Sequence, residues 1–104
     1  IEINPYNVEA NINLGDIYII LLDHDKALEY YEKAEKYSKN INIKSNIDKI
    51  YYGIGYISYH KKLYLKALNN LIKSHKLGNE EALSIIEKID MPEAKEYIKN
   101  RRKL

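Results

Sequence analysis

Cysteine is absent from these 104 residues, so neither a disulfide framework nor a thiolate metal site is available to the chain. Phenylalanine and tryptophan are absent too, which leaves eleven tyrosines to fill every aromatic position. Only two prolines and four glycines interrupt the chain, too few for a turn-rich β protein or a flexible linker. No apolar run approaches the ~18–20 residues of a membrane helix. The longest, Ile17 to Leu22, ends at Asp23. A charge excess of one sign is also missing: the net charge is +2, too small to argue for nucleic acid or anionic lipid. The opening Ile1-Glu2-Ile3-Asn4-Pro5 has neither a methionine nor a signal pattern and reads as a cut edge. Together with the lack of cysteine, these absences give a cytoplasmic expectation.

What is present is a 3.6-residue apolar period along almost the whole chain. It predicts a first helix over Val8–Leu22 with Asn7 as N-cap, then a turn at Asp23-His24-Asp25 in which Asp23 caps a second helix running to about Ser38. A polar junction over Lys39–Ser45 follows. Further helices are expected over Asn46–His60 and Tyr64–Leu77, with Gly78 as a C-terminal cap and Asn79 opening Glu80–Ile89. The capping-box spacing and early proline of Asp90-Met91-Pro92-Glu93 start a sixth helix, Pro92 to about Arg102. The expected fold is all-α: three antiparallel helix pairs and no strand.

The pattern is written twice. Leu14-Gly15, Ala27, Tyr31 and Ala34 recur forty residues later as Ile54-Gly55, Ala67, Leu71 and Ser74. A period of that size marks a solenoid, whose units bury their apolar faces by stacking. The small residues are expected to let helices approach closely, and this explains Gly53-Ile54-Gly55 better than a phosphate loop does, because no strand precedes it.

These residues resemble the tetratricopeptide repeat, a helix–turn–helix unit of ~34 residues. The first copy, 8–41, carries Leu14-Gly15, Tyr18, Ala27, Tyr31 and Ala34, but has Asn11 for the early aromatic and Lys39 for the closing proline. Asn4-Pro5 resembles the close of a preceding repeat, so that 1–7 reads as its tail and the chain as part of a longer array. The second copy, 42–81 with an extended junction, keeps Tyr51, Ile54-Gly55, Ala67 and Leu71 while Ser58 and Ser74 replace the expected Tyr and Ala. Residues 82–104 read as degenerate capping helices. Leu77 to Ala82 is also similar to the Gly-x-x-x-Ala junction of Sel1-like repeats. The resemblance implies an α-solenoid with a right-handed superhelix and a concave groove that binds a peptide or protein segment.

Projected onto this chain, the groove residues are Ile12, Asp16 and Ile19, with Glu9 and Ile20 beside them, then Lys49, Tyr52, Tyr56, Tyr59 and His60. The tyrosine stripe offers large area with little entropic cost. Packing of those tyrosines under a neighbouring helix is the alternative. Asp16 favours a basic or neutral peptide. Chaperone C-terminal tails are not expected, because Ile12, Asp16 and Gly53 stand where the family's carboxylate-clamping side chains would be. No catalytic constellation, cofactor motif or metal-ligand spacing is present; a meeting of His60 and His75 across a helix pair is one reading, and a surface position is the better one. Lys99, Arg101, Arg102 and Lys103 read as a solvated, dipole-complementing end, not a nucleic-acid patch. The competing functional reading is a spacer or self-association segment with no ligand of its own.

Overall fold

A computed structural model describes residues 7–40 and 46–102. The two ends and the segment 41–45 lie outside it, and with them Asn4-Pro5, most of the extended junction and Lys103. Six helices are present among the described residues: α1 Val8–Ile20, α2 His24–Asn40, α3 Ile47–His60, α4 Tyr64–Lys76, α5 Glu81–Ile86 and α6 Pro92–Arg102.

Local chemistry sets these bounds. Asn7 is extended, and its side-chain oxygen accepts from the Ala10 N–H at 2.9 Å, satisfying a donor the first turn leaves open. Asp23 does the same for the Lys26 N–H at 3.2 Å. The three turns that close α1, α3 and α4 share one hydrogen-bond pattern. Leu22, Lys62 and Gly78 take positive φ of 59°, 65° and 104°. Their N–H groups donate to Ile19, Tyr59 and His75, and the following residues reach back to Tyr18, Ser58 and Ser74 at 2.9–3.1 Å. This is the Schellman close, which glycine adopts without strain and leucine or lysine does not. It also explains why α1 stops at Ile20, two residues short of expectation: Leu22 is already in the left-handed turn. α5 is shorter than expected as well, ending at Ile86.

The short turns fold α1 against α2 and α3 against α4 as antiparallel pairs, and α2 packs on α3 to stack one pair on the next. The result is an elongated body of 48 × 28 × 17 Å, an all-α stack of helix pairs. Two apolar clusters hold it. The first joins Val8 and Ile12 of α1, Ala27, Tyr31 and Ala34 of α2, and Ile50, Ile54 and Ile57 of α3. The second joins Ala67, Leu68 and Leu71 of α4 to Ala82, Ile85, Ile86 and Ile89 around α5 and Ala94 of α6. Each fully buried isoleucine or leucine contributes about 1.5–3 kcal/mol of transfer free energy. Tyr56 packs against both clusters and sits at their seam.

The glycines do something more specific than bring backbones together. A Cβ on Gly15 would lie 2.8 Å from the Tyr31 ring, and one on Gly53 2.6 Å from the same ring. Tyr31 of α2 is therefore clamped between a glycine of its own pair and a glycine of the next. Forty residues on, Gly55 takes the Leu71 side chain in the same way, with a Cβ–Cγ separation of 2.6 Å. The departures from the repeat pattern also acquire roles. Asn11, buried where an aromatic was expected, donates to the Asn7 carbonyl at 2.9 Å. Ser74 donates to the Asp48 carbonyl at 2.7 Å and fastens α4 to the start of α3. Among the described residues, no helix is long and apolar enough to cross a membrane.

Candidate functional site

A groove of about 790 Å³ opens between the two stacked pairs. α1 supplies Asp16, Ile19 and Ile20, spaced i, i+3, i+4 on one face. α3 supplies Asp48, Tyr52 and Tyr56 at successive four-residue steps, with Lys49 beside them. Tyr31 of α2 closes the floor, and the α4–α5 turn with the first residue of α5 forms the far wall through Gly78, Asn79, Glu80 and Glu81.

The floor is closely packed. Tyr31 is buried, wedged between Gly15 and Gly53, and its hydroxyl donates to the Asp16 carboxylate. Burial, followed by that hydrogen bond, holds its phenol well above the ordinary range. One side chain of the core thus fixes the orientation of a carboxylate on the groove.

Tyr52 and Tyr56 are half-buried, their inner edges on the second cluster, with ring centroids 6.2 Å apart. Burial, and then the charge of Glu81, raise the Tyr52 phenol above its ordinary value. Ile20 is 78% exposed. An apolar side chain so open at the lip of a groove, beside two ring faces, is a surface suited to contact.

The far wall is tied down from behind. Glu80 lies 3.4 Å from the Arg101 guanidinium and 3.6 Å from His75, whose other ring nitrogen meets the Tyr97 hydroxyl at 2.6 Å. α6 is thereby attached to the turn that borders the groove, and Arg101 is occupied within the protein. Asn79 accepts from the Glu81 N–H at 3.1 Å and completes the turn.

Of the residues expected in the groove, Asp16, Ile19, Lys49, Tyr52 and Tyr56 line it together, as does Ile20. Ile12 does not: at 4% exposure it belongs to the first cluster, because its position on α1 faces α2 and α3. Tyr59 and His60 also lie elsewhere. They continue an aromatic cluster from Tyr56 toward the C-terminal end of α3, where the His60 ring lies tilted against Tyr56 and His24 at centroid separations of 4.5 and 5.6 Å. Burial, then repulsion from His24 and Lys88, lowers the His60 pKa. His60 therefore meets His24, not His75, because the turn ending α3 lies beside the start of α2. Glu9 is exposed on the first turn of α1, away from the groove lining. Asp48 and the α4–α5 turn were missed. Nothing in the sequence signals that this turn folds back beside α3.

Stacked helix pairs, a repeated turn and an inter-pair groove define a helical-repeat protein of the solenoid class. Within it, residues 8–41 match the tetratricopeptide repeat family, so α1 and α2 carry a tetratricopeptide repeat. Such repeats are, in general, protein–protein interaction modules and typically not catalysts. No curated protein and no solved structure matches the chain.

Proposed function

We propose that this region is a protein-interaction module that takes a polypeptide segment in the groove between α1, α3 and the α4–α5 turn. The observation that carries the reading is the groove's composition: exposed Ile20 and the outer faces of Tyr52 and Tyr56 converge on a volume large enough for several side chains. Recognition needs no movement of the floor, since Tyr31 is already locked. A pre-formed groove of this kind loses little entropy on binding.

The test is capture of partners from lysate by the wild type, by Ile20→Asp and by Lys49→Glu. Both substituted residues are exposed, so neither variant should alter helicity or thermal stability. Loss of the same captured protein in the Ile20→Asp variant supports the groove; an unchanged capture list contradicts it.

A second reading, self-association or stacking within a larger array, has its own observation. Leu21, Leu22, Leu63 and Leu65 are each 48–80% exposed around the α1–α2 and α3–α4 turns. If that edge were the working surface, light scattering would show a mass that rises with concentration and that Leu21→Asp with Leu22→Asp suppresses.

A further inference from the structure

The charge on the groove walls is unbalanced, and the imbalance selects among polypeptides. Asp16, Asp48, Glu80 and Glu81 face the groove against one ammonium, Lys49. Glu80 is already paired with Arg101, and its charge is largely answered. The other three carboxylates have no ion pair among the described residues; the Asp16 side chain's hydrogen bond is to the neutral Tyr31 hydroxyl. Lys49 is exposed on the rim and answers at most one of them.

Between the carboxylates lie Tyr52 and Tyr56. Their rings present faces that attract an ammonium or guanidinium, and a half-buried setting strengthens that attraction relative to open water. Asp16 is held in place by Tyr31, so a cation entering from α1 would meet an oriented acceptor. The apolar contribution of Ile19 and Ile20 suits the methylene stem of a lysine or arginine as well as an aliphatic neighbour.

We infer that the occupant of the groove is a basic segment of a partner protein, bearing lysine or arginine side chains that enter between Asp16, Asp48 and Glu81 over the Tyr52–Tyr56 rings. This rests on the groove reading above and narrows it to one chemistry. The same carboxylates repel phosphate, so a nucleic-acid backbone or an anionic lipid headgroup is the wrong charge for this surface.

The experiment is selection from a random dodecapeptide phage library. It compares the wild-type chain with Asp16→Asn/Asp48→Asn/Glu81→Gln and with Ile20→Asp. Asparagine at 16 keeps an acceptor for the Tyr31 hydroxyl, and circular dichroism verifies that all three proteins are folded. The expected result is wild-type selection of peptides enriched in lysine and arginine. A selected peptide should bind the neutralised variant about tenfold more weakly, and its affinity for wild type should fall as NaCl is raised. Neutral or acidic peptides, lost with Ile20→Asp but indifferent to the neutralised variant, would overturn the charge inference and leave the groove standing. Selection unaffected by Ile20→Asp, or no selected peptide at all, would overturn both.

Discussion

The two helix pairs, α1–α2 and α3–α4, solve the same packing problem with different side chains. In the first, the large residue of the second helix is Tyr31; in the second, forty positions later, it is Leu71. Leucine is accommodated by one glycine, Gly55, in its own pair. Tyrosine is longer, reaches through to the next pair, and needs a second gap there, which Gly53 supplies. The larger side chain therefore does two jobs: it fills its own pair and keys that pair to its neighbour. Its hydroxyl then emerges at the groove and orients Asp16. Leu71 does neither. Beyond it the stack passes to a six-residue α5, held by the second apolar cluster, and to α6, which the His75–Tyr97 bond attaches.

The most severe way to break this comparison is Tyr31→Ala. Removing a buried aromatic that touches both pairs should cost about 3–5 kcal/mol, a large share of a marginal total. Chemical denaturation should find the chain largely unfolded or close to it, and α1 and α3 should lose protection together.

A sharper test is Gly53→Ala. Alanine gains helix propensity, but its Cβ meets a ring that Gly15 prevents from retreating, so the net cost should be about 1–3 kcal/mol. Tyr31→Leu in the same chain, which copies the second helix pair, should recover most of it in a double-mutant cycle. The matching change Gly55→Ala should resist rescue by Leu71→Ala, since its Cβ would also sit 3.2 Å from the Leu71 backbone nitrogen.

Tyr31→Phe isolates the hydroxyl. Loss of its bond to Asp16 should cost about 1 kcal/mol at neutral pH. The pH dependence has a definite sign. The Tyr31 phenol is raised in the folded chain, so folded protein keeps the proton that unfolded chain releases near pH 10. Its contribution is fully present below about pH 10 and is lost as pH rises above that value. Denaturation midpoints of the wild type should therefore fall across the alkaline range more steeply than those of Tyr31→Phe.

The smallest effect concerns the shared turn. Gly78 sits comfortably at positive φ, whereas Leu22 occupies the same place with its side chain 80% exposed. Leu22→Gly should raise stability by about 0.5 kcal/mol, the gain from relieving left-handed strain less the added chain entropy. A fall in melting temperature would mean that Leu22 packs in solution against something it does not touch here.

The order of helices was legible because its signals are local. Asn7, Asp23, Gly78 and Asn79 announce helix ends in the residues that make the capping bonds, and the Ile50, Ile54, Ile57 row announces a buried face. The turns at Leu22 and Lys62 were not marked in this way, since neither residue advertises positive φ. That is why α1 ends earlier than its apolar run. Gly53 was recognisable as a close approach, but not as a partner of Tyr31, twenty-two residues away on another pair. The groove was half legible for the same reason. The family resemblance placed Asp16, Ile19, Tyr52 and Tyr56 on the groove, whereas the wall from Gly78 to Glu81 depends on how the second pair returns past α3. Ile12 and His60 show the limit of projecting a family's face onto one chain: a rotation of one position moves a residue from groove to core or to the helix end.

The central claim is that the groove, not the apolar edge at the turns, is where a partner lies. A nitrogen–proton correlation titration of the 104-residue chain with a selected peptide tests it most directly. The account predicts that amide shifts concentrate at Asp16, Ile19, Ile20, Lys49, Tyr52, Tyr56 and the Gly78–Glu81 wall. Shifts confined to Leu21, Leu22 and Leu63–Leu65, with the groove silent, would contradict it.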